Sequence, residues 1–287
     1  MASIFNATRR LALTLALALL ATAAAAQDVK REITNIAGDL YRFQNNFHYS
    51  VFLVTGDGII ATDPINAAAA TWLKQELAAR FGQPVRYLIY SHDHADHISG
   101  GEVFADTAVV VAHENAKRAI VGEDRPTAVP GVTFRDSMTI ELGGKTVELA
   151  HVGKNHSDNS IVVTFPAERA LFAVDFIPVR SLAFRDFPDA YIPEWVDSLK
   201  AVERIDFDIL LPGHGPVGTK ADVAAFRGYM EQLRAEVLAH QRAGRTLEET
   251  QALVTMTDYR DWGQYERFLP LNVAGMYQRL ALNRRGN

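Results

Sequence analysis

Not one cysteine occurs among the 287 residues. That excludes disulfides, a thiolate nucleophile and any cysteine-ligated metal site, so a metal centre in this chain has to be built from His, Asp or Glu. Positive charge is also short: 29 Lys and Arg stand against 34 Asp and Glu, a formal net charge of −5. Phosphate-driven nucleic-acid binding relies on clustered Lys and Arg, and this balance argues against such a partner. Long apolar runs are missing beyond the first 26 residues. There Arg9 and Arg10 precede "LALTLALALL" and the small residues "ATAAAA". This is the layout of a secretory signal peptide over 1–26, its apolar run, Leu11 to Ala26 at most, too short for a membrane span of about 20 residues. Its removal would leave 27 basic and 34 acidic residues, or −7. The expected location is periplasmic or secreted, with no membrane association after cleavage. An exported chain without disulfides depends on an ordinary hydrophobic core, and this length is ample for one. No G-x-S-x-G stretch is present either, which argues against a covalent acyl-enzyme.

What is there reads as alternating strands and helices. "GDLYRFQ" and "YSVFLVT" have strand character, and "GDG" turns into a further strand, "IIATD". Leu73, Leu77 and Arg80 recur at helical spacing in "INAAAATWLKQELAARFG", with Gly82 past the end. "PVRYLIYS" is a buried-type strand, followed by "AVVVAH" and the short helix "ENAKRAI". Two hairpins follow, one turning at Gly143-Gly144 and one near Pro166. The helix "IPEWVDSLKAVERI", a last strand in "DFDILLPGHG" and a long helix from Lys220 come next. Thr246 and Glu249 form a capping box, and "WGQYERFLPLNVAGMYQRLAL" reads as a final helical pair. "GDGIIATD" and "ERALFAVD" echo one another, as two similar sheet-helix halves would.

The chemistry concentrates in "YSHDHADHISGG", directly after a buried strand, where open α/β sheets carry their sites. His92, His94, Asp96 and His97 form H-x-H-x-D-H. Imidazole and carboxylate suit zinc, and in a loop His92 and His94 can converge on one ion while Asp96 and His97 face a second. Gly100 and Gly101 then allow a tight turn. Three further candidates follow hydrophobic strands: His156 in "GKNHSDNS", Asp175 at the end of "ALFAVD", and His214 in "LLPGHG".

In this order, from about Ile33 to His214, these residues resemble the metallo-β-lactamase-fold superfamily. The resemblance implies an α/β fold: a four-layer αββα sandwich of two mixed β-sheets flanked by helices. The hydrolase domain would span 27–245, with 246–287 a helical C-terminal extension packed on it. The resemblance also implies two Zn2+ ions, the first on His92, His94 and His156, the second on Asp96, His97 and His214, with Asp175 bridging. Iron or manganese would suit the same ligands. A metal-bridging hydroxide would attack a small amide, ester, lactone or thioester, with β-lactams among the candidates. Asp96 would orient that hydroxide and carry the proton to the leaving atom. Asp63 matches either a supporting Asp beneath the site or a turn-initiating Asp before Pro64. The expected partner is a small-molecule substrate.

Departures narrow the field. Zinc β-lactamases of the best-known subclass have Cys where Asp175 stands and a Lys three positions later, where this chain has Pro178. Arg180 or Arg185 is left either to grip a substrate carboxylate or to be a solvated loop charge. Acyl-homoserine lactonases place Tyr where Pro178 stands. Persulfide dioxygenases use a single iron, which makes a mononuclear dioxygenase on His92, His156 and Asp175 the alternative function. Phe43, Phe47 and Tyr49 suit either an apolar lid or hairpin core. His48, His113, His151 and His240 are left without a role, His151 reading as structural and His240 as solvated.

Overall fold

Alternation along the strands of this computed structural model, which describes residues 29–282, sets the layers. In β4 (Gly58–Thr62), Ile59 and Ala61 face one apolar cluster and Ile60 another. In β10 (Ile161–Phe165) and β11 (Ala170–Ala173), Val162, Leu171 and Ala173 face a third cluster, while Val163 and Phe172 share the one that holds Ile60. A strand buried on both faces needs a layer on each side. The expected signal peptide over 1–26 lies outside the described residues.

The first sheet has seven strands in the order β1 (Arg31–Ala37), β2 (Leu40–Asn45), β3 (His48–Thr55), β4, β5 (Val85–Ile89), β6 (Val109–His113) and β7 (Val132–Phe134). It is mixed, antiparallel from β2 to β4 and parallel from β4 to β7. The second has six, in the order β13 (Gly218–Thr219), β12 (Ile209–Leu211), β11, β10, β9 (Lys145–His151) and β8 (Ser137–Leu142). Only its β11–β12 pair is parallel. The cluster between the sheets joins Leu53, Ile60, Ile89 and Val111 to Val147, Leu149, Val163 and Phe172.

Helices cover both outer faces. On the first sheet lie α1 (Ala67–Phe81) and, beyond the short α2 (Ala95–Ile98), α3 (Glu114–Gly122). Leu73, Leu77, Ala116 and Ile120 are their buried contacts. On the second lie α4 (Ile192–Glu203), α5 (Lys220–Arg242) and, after α6 (Leu247–Leu253), α7 (Tyr265–Leu282), through Trp195, Leu199, Phe226, Leu233, Val273 and Met276. Burying each such side chain stabilises by about 1.5–3 kcal/mol. The expected four-layer αββα sandwich is thus observed. Among the described residues no helix is long and apolar enough to cross a membrane.

Local signals account for the element ends. Asn66 Oδ1 accepts from Ala69 N at the start of α1, and Gly82 closes it at φ +63°. Thr246 and Glu249 make the expected capping box on α6. The expected final helical pair is instead the single helix α7, with Pro270 inside it. Its apolar stripe, Phe268 to Leu280, is buried on both sides of that proline, and tertiary packing overrides the break.

His113 and His151 end β6 and β9, with ring centroids 4.2 Å apart. His113 Nδ1 accepts from Asn115 N and its Nε2 faces the Arg135 carbonyl at 2.9 Å, which commits the ring to the neutral Nε2–H form. Burial pushes both imidazoles below the ordinary histidine range. Asp158 opposes that for both, with Glu114 acting on His113 and Asp136 on His151, while Arg118 reinforces it at His113. The unfolded chain takes up protons near pH 6.5 and the folded chain does so only lower. Stability contributed here is therefore full above about pH 6.5 and is lost as the pH falls below it. Thermal unfolding at pH 7.5 and 5.5 is expected to show a smaller acid-induced loss for His151→Gln than for wild type. Equal losses in the two proteins would rule out the pair as a source.

Candidate metal centre

Strand ends deliver every candidate ligand. Asp63 follows β4, and its N–H donates to the carbonyl of Ile89 at 3.0 Å. The parallel neighbour β5 leads through Tyr90 and Ser91 into His92 and His94, and α2 carries Asp96 and His97. His156 lies in the β9–β10 loop, Asp175 just past β11, and His214 just past β12. Gly100 makes the tight exit possible: at φ +85° its α-carbon lies so close to the Ala67 backbone that a side chain would overlap it.

Without Asp63, the other seven fall into two groups, each with ligand atoms within 4.8 Å of one another: His92, His94, His156 and Asp175, and Asp96, His97, Asp175 and His214. Asp175 belongs to both. Its Oδ2 lies 3.5 Å from His92 Nε2, 3.2 Å from His97 Nε2 and 3.8 Å from His156 Nε2, and its Oδ1 lies 3.3 Å from His214 Nε2. The backbone at Asp175 is left-handed, φ +65°, a conformation that Asp tolerates better than most residues.

Three of the five imidazoles, those of His92, His156 and His214, have the outer nitrogen committed to a hydrogen bond. Asp63 accepts from Ser91 N at 2.8 Å and from Ser91 Oγ at 2.6 Å, which leaves Ser91 Oγ to accept from His92 Nδ1 at 2.9 Å. His97 Nδ1 lies 3.5 Å from Asp63 Oδ2, without a hydrogen bond between them. His156 Nδ1 meets Asn155 Oδ1 at 3.0 Å, and His214 Nδ1 donates to the Phe47 carbonyl at 3.0 Å. Such partners turn the Nε2 lone pairs of His92, His156 and His214 inward, as metal ligation requires. Asp63 is thus the supporting residue of the two readings open in the sequence. Buried His92 Nε2, His156 Nε2 and Asp175 Oδ1 have no hydrogen-bond partner, although buried polar atoms nearly always find one. His97 Nε2 and His214 Nε2 face each other at 3.1 Å. Inward lone pairs from five imidazoles around two carboxylates fit divalent cations held by N and O donors.

Charge follows the geometry. Burial pushes the Asp96 carboxyl up, but hydrogen bonds from His214 and His48 outweigh it and hold the group far below the usual carboxylate range. Burial also opposes charge on His97 and His214, yet Asp175 and Asp63 raise the first and Asp96 raises the second. Burial, then His92, drives His94 and His156 down.

Several neighbours carry no local signature in the sequence. His48 touches the site, with Nε2 3.3 Å from Asp96 Oδ2 and its ring 4.7 Å from that of His214. Asp93, inside the histidine run, points away: it pairs with Arg125 at 3.0 Å and accepts from Asn159 Nδ2 at 2.9 Å. Asp189, on the loop before α4, lies 3.6 Å from His94 Nε2. Of the aromatic trio, Phe43 is core, Tyr49 lies under the Arg42 guanidinium at 3.6 Å, and Phe47 is 82% exposed at the hairpin tip.

The sequence model of the Metallo-beta-lactamase superfamily matches residues 47–214. Among curated proteins, the chain is 27% identical over 172 residues to the alpha subunit of 2,4-dinitroanisole O-demethylase from Nocardioides sp. (strain JS1661), covering 58% of this chain and 52% of that protein. It is 28% identical over 146 residues to metallo-beta-lactamase type 2 of Bacillus cereus, covering 49% of this chain and 56% of that one. The chain therefore spans about half the length of these relatives. Among solved structures, a metallo-beta-lactamase from Pontibacter korlensis aligns with TM-score 0.63 at 21% identity, over 70% of this chain and 99% of that one. FIM-1 from Pseudomonas aeruginosa, in its mono-zinc form, aligns with TM-score 0.65 at 17% identity, over 73% and 98%. At such identities the structural likeness speaks to the fold.

Proposed function

The chain belongs to the metallo-β-lactamase superfamily, and from that premise we propose that it is an exported zinc-dependent hydrolase of a small amide, ester, lactone or thioester. The observation that carries this reading is the pair of ligand groups sharing Asp175. His92, His94, His156 and Asp175 would hold one cation, and Asp96, His97, His214 and Asp175 the second. Cations bound there supply Lewis acidity, polarising a carbonyl and lowering the pKa of water toward neutrality.

The chain's own residues do the positioning. Asp175 ties the two groups to one distance. Asp96 is an ionised acceptor with its side chain 49% exposed at the mouth, suited to orient water and pass a proton to the leaving atom. Asp63, through Ser91, fixes the ring of His92. Among the described residues neither Arg180 nor Arg185 forms an ion pair with a site carboxylate, and Arg185 lies 3.8 Å from Asp186 instead. Besides Asp96, a second carboxylate, Asp189, stands near His94 with its side chain 62% exposed. This supports neutral or cationic substrates over carboxylate-bearing ones, since like charges disfavour approach. The charged leader residues and apolar run at the N-terminus support export.

The test is metal analysis joined to a substrate panel of lactones, thioesters, esters, β-lactams, phosphoesters and an aryl methyl ether, run with and without chelator. About two zinc per chain and chelator-sensitive hydrolysis of an acyl substrate are expected. One iron per chain, with oxygen consumption and no hydrolysis, would establish the dioxygenase alternative instead.

A further inference from the structure

The two ligand groups are supported by different parts of the fold. The first group leans on partners close in sequence: Ser91 on His92, and Asn155 with Ser160 Oγ, 3.2 Å away, on His156. The second depends on His214, whose side chain is 40% exposed whereas that of His97 is fully buried. Its loop, Pro212 to Gly215, passes through φ +88° at Gly215 and is held from outside by the β2–β3 hairpin of the other sheet. Arg42 Nη2 donates to the carbonyls of Pro212 at 2.9 Å and Gly215 at 2.8 Å, one on either side of His214. Tyr49 N donates to the Gly213 carbonyl at 2.8 Å, and the Phe47 carbonyl takes His214 Nδ1. The same hairpin places His48 against Asp96.

Arg42 is an unusual group to spend on a loop. It is 8% exposed and has no carboxylate partner among the described ion pairs, so its burial is compensated only by carbonyl oxygens and the Tyr49 ring. Three imidazole Nε2 atoms surround Asp96 Oδ2: His48 at 3.3 Å, His214 at 3.4 Å and His97 at 3.5 Å. His97 and His214 belong to the ligand group and His48 does not. The N–H of His48 therefore remains for Asp96 when the other two nitrogens turn to a cation.

We propose that Arg42 and His48 are positioning residues for the second metal position alone, Arg42 by clamping the His214 loop and His48 by orienting Asp96. The inference rests on the metal-centre reading above. Loss of either contact leaves His92, His94, His156 and Asp175 in place, so the hairpin decides between a one-metal and a two-metal protein.

The experiment titrates metal-free full-length chain with Co2+ and Zn2+, following the Co2+ absorption spectrum and the metal retained after gel filtration. Wild type, Arg42→Met, His48→Ala and His48→Gln are compared, with Asn155→Ala as the control on the first group. Arg42→Met and His48→Ala are expected to weaken the second equivalent about 10–100-fold and leave the first unchanged, as loss of a ligand's outer partner typically does. His48→Gln, which keeps an N–H donor, recovers most of the second equivalent, and Asn155→Ala weakens the first. His48 sits partly exposed on a turn-flanking position, so its variants stay folded and report even where Arg42→Met does not. Two equivalents of wild-type affinity in both His48→Ala and Arg42→Met overturn this inference and leave the metal centre standing. A wild-type chain that retains no metal overturns the metal centre and the inference together.

Discussion

Asp175→Asn is expected to lower kcat/KM by about 10³-fold or more, because several kcal/mol of charge stabilisation depend on it and each 1.4 kcal/mol is tenfold. No other residue belongs to both ligand groups. Its two oxygens reach Nε2 atoms of four histidines, at 3.2–3.8 Å. Asn keeps the shape of the side chain and tolerates the left-handed backbone, φ +65°, so the fold is not strained by the change. What disappears is the one negative charge shared by both positions. Metal content is therefore expected to drop at both, not at one, with a far-ultraviolet circular dichroism spectrum like that of wild type. Asp96→Ala makes the informative contrast, since Asp96 serves only the second group. An Asp175→Asn protein that kept both cations and its activity would remove the shared carboxylate from the mechanism.

The contrast matters because the two groups are assembled across the two sheets. Ile161 N, at the start of β10, donates to the carbonyl of Ser91 at 2.9 Å, pinning the second sheet to the loop that leaves β5. Asp93 strengthens the same seam: its N–H donates to Asn159 Oδ1 at 3.0 Å, its carboxylate accepts from Asn159, and Arg125 holds it from the other side. The start of the histidine run is therefore fixed on either side of His92 before any ligand is considered. On the opposite flank the hairpin that contains His48 reaches across to the loop of His214. Rigid elements supply the positions and short loops supply the chemistry, which suits a centre that must hold several donors within a few ångströms.

Much of this was legible in the sequence, for identifiable reasons. Strands buried on both faces leave continuous apolar runs, and β4, β6, β10 and β11 announce themselves that way. β1 shows no apolar alternation, β7 has three residues and β13 two, and none of them carries a pattern long enough to read. The ligand cluster was legible because local spacing after a buried strand imposes the geometry. His48 was not, because its contact with Asp96 spans 48 positions and depends on how one hairpin folds over the site. Asp93, left out of the ligand set, shows what decides between neighbouring carboxylates. It has the residue type and location of a ligand, but Asn159 and Arg125 capture its carboxylate. Asp63 stood undecided between turn and support, and only the burial of its carboxylate under Ser91 and His97 separates the two.

That burial carries the second large expectation. Asp63→Ala should destabilise the metal-free chain by about 3–5 kcal/mol, the usual cost of deleting one member of a buried charged network. The carboxylate is fully buried. It is the acceptor for Ser91 N and Ser91 Oγ, at 2.8 and 2.6 Å, and lies 3.5 Å from His97 Nδ1. Removing it strands a backbone N–H and a hydroxyl together and takes a negative charge from beside the His97 ring, and each unsatisfied buried group costs about 1–3 kcal/mol. The backbone there is at φ +26°, where a residue with a methyl side chain gains nothing to offset the strain. Asp63→Asn separates fold from function. Its amide oxygen can still accept from Ser91 N, while its NH2 group meets the Ser91 hydroxyl and His97 Nδ1 as a donor where an acceptor stood. Most of the stability should survive, but the Ser91 hydroxyl loses its acceptor and the ring of His92 loses its anchor. Denaturant midpoints of the metal-free proteins, set beside kcat/KM and metal content of the loaded ones, test both halves. Unchanged stability in Asp63→Ala would mean that water or a shifted loop replaces the carboxylate, and that the floor of the site is not built on Asp63.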